Sequence, residues 1–173
     1  IVTGCLGAKP EIIKKAHPNV LAITGPQKFD KVLETVQKVA PLKNLSFEAK
    51  VPENYFKLTP KHYSYLKISE GCNHKCSFCI IPSMRGRLKS RPLRSIIREA
   101  ESLIAKGTKE LMVISQDTSA YGLDLGYEET SINGQYKKTD IFNLADQLGD
   151  LNVWVRLHYI YPYPHVEKLI PLM

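Results

Sequence analysis

Three of the chain's four cysteines fall inside eight residues, Cys72, Cys76 and Cys79, in a C-x3-C-x2-C spacing that directly follows an apolar, strand-like run, Tyr65-Leu66-Lys67-Ile68-Ser69. Three thiolates on so short a loop can hold three irons of a 4Fe-4S cube and leave the fourth without a protein ligand, free to bind a small molecule. The alternative is a structural zinc site with His74 as the fourth ligand. His74 lies between the first two cysteines, a cramped position for a tetrahedral site, and structural zinc motifs usually bring a second ligand pair from elsewhere. Disulfides are the weaker reading, because Cys5 is far upstream and no secretion signal precedes it.

The segments around that loop predict its architecture. Residues 65–69 read as a strand, and residues 92–106 as a helix with one apolar face (Ile96, Ile97, Ala100, Leu103, Ile104) closed by Gly107. A strand over 110–115, a helix over 141–148 and a strand over 153–157 follow. Repeated βα units imply an α/β fold with a parallel sheet, here a partial (βα) barrel over residues 63–173. In such barrels the chemistry sits in loops after the strands' carboxyl ends, where the cysteines and Gln116-Asp117 both fall.

Residues 1–40 read as the remnant of a small α/β domain. A strand end at 1–3 leads into a tight turn, Gly4-Cys5-Leu6-Gly7, then a helix over 10–16, a strand over 20–23, and a second helix marked by Phe29, Val32, Leu33, Val36 and Val39. Residues 41–62, polar and punctuated by proline, read as a linker. Both ends of the chain look like cuts through regular elements, so a fragment is expected. With 43% hydrophobic residues over 173 positions the chain can bury a core. No apolar run is long enough to span a bilayer and no signal peptide is visible, which points to the cytoplasm. The net charge of +7 suggests an anionic partner, and Arg85, Arg87, Lys89, Arg91, Arg94 and Arg98 follow the cysteine loop with no acidic residue until Glu99.

The cysteine spacing with Phe78 between the last two thiols resembles the signature of the radical S-adenosylmethionine (SAM) enzymes. Ile80-Ile81-Pro82-Ser83-Met84-Arg85-Gly86, Ser90-Arg91-Pro92, Ile114-Ser115-Gln116-Asp117-Thr118-Ser119-Ala120-Tyr121-Gly122 and Arg156-Leu157-His158-Tyr159-Ile160-Tyr161-Pro162 look like the methylthiotransferases among them. Within these they look most like the members that methylthiolate the β-carbon of an aspartate in small-subunit ribosomal protein number twelve. The sister enzymes that methylthiolate an adenosine in tRNA are the alternative, and a zinc-stabilised RNA-binding module without catalysis is a third. The resemblance implies six βα units, about half of them here, and a C-terminal RNA-binding-type β domain that these residues do not include.

It also implies roles. SAM would bind the open iron held by Cys72, Cys76 and Cys79, and an electron from the cluster would cleave it to methionine and a 5'-deoxyadenosyl radical, with Phe78 against the adenosyl part. Cys5 would be one ligand of a second, auxiliary 4Fe-4S cluster whose other ligands lie outside this chain. Ser115, Gln116 and Asp117 are candidates for the SAM amino group or ribose, and Arg156 and His158 for the same pocket. Arg85, Arg87, Tyr159 and Tyr161 are candidates for the substrate, the tyrosine-proline run reading as a rigid loop at the pocket mouth. The implied partners are the ribosomal protein, with the ribosome and its RNA as context, and a reductant such as flavodoxin, with the enzyme acting as a monomer.

Overall fold

The structure is a computed structural model that describes residues 1–26, 28–41, 57–132 and 134–173. It divides into two compact units, Ile1–Tyr55 with Lys75–Arg85, and Phe56–His74 with Gly86–Met173.

In the first unit, the two strands expected at residues 1–3 and 20–23 reduce to one parallel bridge between Val2 and Ile23. Helix α1, Pro10–Ala16, begins at its proline, whose fixed φ and missing N–H suit the first helical position. Helix α2 spans Phe29–Val39. Cys5 sits in a 3-10 turn, Cys5–Ala8, packed against the short helix α3, Ile81–Arg85. Gly7 allows the turn to lie on residue 24: a Cβ there would stand 2.0 Å from the Thr24 carbonyl oxygen. Of the expected linker, residues 42–56 lie outside the described residues.

The second unit is built on a parallel three-stranded sheet in the order β1 (Tyr63–Lys67), β4 (Glu110–Ile114), β7 (Trp154–Leu157). Leu66 stands opposite Val113, and Val113 opposite Leu157. Strand side chains alternate between faces, so Ser64, Leu66, Leu111 and Val113 are buried while Tyr65 and Trp154 are exposed. The buried face packs on α4 (Leu93–Ala105) and α5 (Ile141–Gly149) through Ile96, Ala100, Leu103, Leu144 and Leu148. Truncating Ile96, Leu103, Leu144 or Leu148 to alanine costs about 2–5 kcal/mol.

Helix α4 ends where the sequence predicts. Gly107, at φ 98°, gives its N–H to Ile104 O, and Thr108 N–H reaches Leu103 O, which satisfies two of the helix's last carbonyls. Asp140 caps α5 by accepting from Asn143 N–H at 2.8 Å.

Two antiparallel pairs are additions to the βα pattern. Strands β2 (Ser69–Glu70) and β3 (Lys89–Ser90) pair across the two ends of the cysteine loop, with Ser69 opposite Ser90. Strands β5 (Glu129–Ile132) and β6 (Gln135–Lys138) form a hairpin after β4. Among the described residues no helix is long and apolar enough to cross a membrane.

Candidate active site

The carboxyl ends of β1, β4 and β7 carry the segments of interest. Leaving β2, the chain turns at Gly71, at φ 75°, where a Cβ would stand 2.1 Å from Arg87 O and 2.7 Å from Gly86 O. Only glycine fits there. The next residues are fastened by Cys72 N–H to Gly86 O and by Leu88 N–H to Asn73 Oδ1, both at 3.1 Å. Cys72 is buried, and its sulfur accepts from His74 N–H at 3.5 Å.

Farther along, Cys76 is exposed and Cys79 half-buried, with Cys79 N–H bonded to Cys76 O. Phe78 is 91% exposed. All four cysteines are free thiols. No three His, Cys, Asp or Glu side chains among the described residues stand as a preformed metal cage.

At the end of β4 the polar residues divide their work. Ser115 Oγ pairs with Thr118 Oγ1 at 3.0 Å, which commits it to the turn. Ser119 clamps the loop after β7, donating to Tyr161 O at 2.9 Å and accepting Tyr161 N–H at 2.7 Å. Gln116 and Asp117 line a cleft of about 240 Å³ with His74, Tyr159, Ile160 and Tyr161. Gln116 Oε1, Asp117 Oδ1 and His158 Nε2 are buried without a hydrogen-bond partner in the structure. A buried polar atom left unpaired costs about 1–3 kcal/mol, so a bound polar ligand gains by meeting it. Tyr159 has φ 59°, a left-handed conformation uncommon for an aromatic residue, at the mouth of the same cleft.

Arg156 is held elsewhere. Its Nε donates to Glu110 Oε1, at the amino end of β4, over 2.7 Å. Arg87 is exposed, and Arg85 ends α3. Arg91 acts within the fold, donating to Lys67 O at 2.6 Å and pairing with Glu99 at 2.6 Å. The basic run is therefore partly internal.

His74 is the residue whose role the spacing did not reveal. Its Nε2 lies 2.6 Å from Tyr163 Oη and 3.1 Å from Asp117 Oδ2, so its ring is engaged by protein groups. The donor chemistry fits an iron-sulfur cluster and a polar cationic ligand: three free thiols within eight residues of sequence, and, within the second unit, a cleft lined by orphaned carboxylate and amide oxygens.

The chain is similar to the ribosomal protein uS12 methylthiotransferase RimO of Azorhizobium caulinodans, 60% identical over all 173 residues, which are 38% of that protein. It is 57% identical over its whole length to the enzymes of the same name from Brucella canis and Brucella abortus, covering 40% of each. It thus spans about two fifths of the length of these curated relatives. Residues 66–170, which include the end of β1, the cysteine loop, strands β4 and β7 and the cleft, match the Radical SAM superfamily. The chain belongs to the radical SAM superfamily, whose enzymes use S-adenosylmethionine and a 4Fe-4S cluster.

Proposed function

We propose that this chain is part of a methylthiotransferase that modifies an aspartate of small-subunit ribosomal protein uS12. The observation that carries the reading is the 57–60% identity to enzymes of that name in an alignment that spans the whole chain. Residues 63–173 are then the first half of the radical SAM core, 41–62 a linker, and 1–40 the end of the preceding domain.

In this reading Cys72, Cys76 and Cys79 hold the cluster, and Cys5 belongs to an auxiliary cluster completed by residues beyond these 173. When bound, cluster and SAM together supply one-electron chemistry able to break an unactivated C–H bond, which lies outside the reach of side-chain acid-base catalysis. The protein's part is position. Asp117 Oδ1 and Gln116 Oε1 accept from the ligand's amino or hydroxyl groups, and Phe78 covers its adenosyl part. Tyr159, Ile160 and Tyr161 line the cleft on its other side and shape where the ligand can lie. Ser115 shapes the turn that presents Gln116 and Asp117, and Arg156 orders the sheet through Glu110. Arg85 and Arg87 receive the substrate carboxylate, a group that guanidinium matches with paired, charge-assisted hydrogen bonds. A flavodoxin-type reductant, a cytoplasmic setting and a monomeric enzyme complete the proposal.

The test is a side-by-side assay of the full-length enzyme, reconstituted anaerobically with SAM and reductant, on a uS12 peptide and a tRNA anticodon stem-loop. Mass spectrometry should find a methylthio group on the peptide's aspartate. Methylthiolated adenosine beside an untouched peptide would assign the chain to the tRNA enzymes.

A further inference from the structure

The contacts of His74 form a closed set. Tyr163 Oη lies 2.6 Å from His74 Nε2 and 3.0 Å from Asp117 Oδ2, and the His74 nitrogen is itself 3.1 Å from that carboxylate oxygen. A proton inventory orders the three. A carboxylate only accepts, and Tyr163 has one proton to give. Were that proton directed to His74, no donor would face Asp117 Oδ2. The satisfied arrangement has Tyr163 donating to Asp117 while His74, as the Nε2–H tautomer, donates into the tyrosine oxygen. Burial first, then the hydrogen bond and charge of Asp117, and then the Cys72 thiol, push the Tyr163 pKa well above the usual tyrosine range. Tyr163 therefore keeps its proton at neutral pH.

The ring positions reinforce the set. His74 lies parallel to Tyr163 at 11°, with centroids 5.7 Å apart, and Tyr163 parallel to His165 at 14° and 5.3 Å. His165 Nε2 is anchored on Ser119 O at 2.9 Å. His74 belongs to the cysteine loop, Asp117 to the end of β4 and Tyr163 to the segment after β7. One hydroxyl therefore ties three separate stretches of chain together. Asp117 shares its two oxygens between tasks: Oδ2 is held by Tyr163, and Oδ1 is left buried and unpartnered in the residue that lines the cleft.

We propose that Tyr163 is the positioning residue of the cysteine loop: its hydroxyl latches His74 to Asp117, so that Cys72 and the cleft carboxylate are in place before iron or SAM binds. The consequence for cluster assembly rests on the reading of Cys72 as a ligand. The latch itself does not.

The experiment uses the full-length enzyme, first metal-free, with Tyr163→Phe, His74→Ala and the double variant. Alkylation of each cysteine by iodoacetamide is followed by site-resolved mass spectrometry, together with amide exchange over residues 71–74. Losing one hydrogen bond to a charged group should speed alkylation of Cys72 about tenfold in either single variant, with Cys5 unchanged. The double variant should be no faster than the faster single one, because both remove the same latch. In the reconstituted enzyme, Tyr163→Phe should change the EPR line shape that the reduced cluster shows on adding SAM, at normal iron content. Unchanged Cys72 reactivity in both single variants overturns the proposal, as does an equal rise at Cys5, which would mean general loosening. If Tyr163→Phe does not fold, His74→Ala carries the test alone. An enzyme inactive on the uS12 peptide that still shows the Cys72 effect would remove the substrate reading and leave the latch standing.

Discussion

Replacing Gly71 with alanine should harm the site more than the same change at Gly86, although both glycines have the same kind of backbone. Gly71 has φ 75° and Gly86 φ 80°, so alanine at either carries the left-handed penalty of about 1–2 kcal/mol. At Gly86 nothing lies within 4 Å of the new carbon, and the penalty ends there. At Gly71 the carbon would stand 2.1 Å from Arg87 O and 2.7 Å from Gly86 O, both inside the 3.0 Å that real Cβ contacts respect. Those atoms are backbone, so residues 86–87 must move. Such movement weakens the bonds from Cys72 N–H to Gly86 O and from Leu88 N–H to Asn73 Oδ1, each contributing about 0.5–1.5 kcal/mol. The extra cost at Gly71 is then about 1–3 kcal/mol, or roughly 5- to 150-fold in the local opening equilibrium. Native-state amide exchange at Cys72 in the metal-free full-length enzyme reads that ratio, and iron bound per chain after reconstitution reads its effect on the site. Equal exchange in the two variants would refute the reasoning, since it would mean the loop yields at Gly71 without cost.

Cys72→Ala, Cys76→Ala and Cys79→Ala should each abolish cleavage of SAM to 5'-deoxyadenosine, measured by chromatography; undiminished cleavage in any one of them would show that thiol is not a ligand. Cys5→Ala in the full-length enzyme should keep SAM cleavage and lose methylthio transfer, and full product formation at normal iron content would make it a packing residue. Tyr121 is fully buried, and burial raises its pKa far above the ordinary tyrosine value of about 10. Its contribution is complete below that ordinary value and is lost as pH climbs from there toward the raised folded value, so denaturant midpoints should fall between pH 9 and 11. Tyr121→Phe loses the bond to Arg91 O, lowering stability by about 1 kcal/mol at pH 8, and should narrow that alkaline drop. An unchanged drop would mean that other groups cause it.

The elements that bury an apolar face were legible before the structure. The Ile96, Ile97, Ala100, Leu103 face of α4 and its Gly107 cap survive intact, because periodicity and burial report the same physics. The β5–β6 hairpin was not legible: Glu-Thr-Ser-Ile and Gln-Tyr-Lys-Lys are polar strands whose pairing leaves little apolar signal, with Gly134 at φ 82° as the local clue. The strand expected at residues 20–23 shortened to one bridge, since four apolar residues do not by themselves supply a partner. Within the site, the three thiols and Gln116-Asp117 stood out by spacing and by position after strands. The His74–Tyr163 contact spans 89 residues of sequence and exists only through the fold, so no local pattern could announce it. A signal was present all the same. A histidine inside the cysteine loop, relieved of the zinc reading, needed another partner. The partners of two arginines were not legible either: Arg91 meets Lys67 O and Glu99, and Arg156 meets Glu110, 46 residues away in sequence.

Whether Cys72, Cys76 and Cys79 hold a cluster that activates SAM is decided by metal analysis of the anaerobically reconstituted full-length enzyme. Iron, sulfide and zinc should be determined on wild type and on the triple Cys72→Ala, Cys76→Ala, Cys79→Ala variant, with visible absorption and 5'-deoxyadenosine yield measured on the same samples. The wild-type protein should be brown and cleave SAM, and the triple variant should lose one cluster's worth of iron and all of the cleavage. A colourless wild type carrying zinc at those cysteines, or a triple variant with undiminished iron and cleavage, would contradict that assignment.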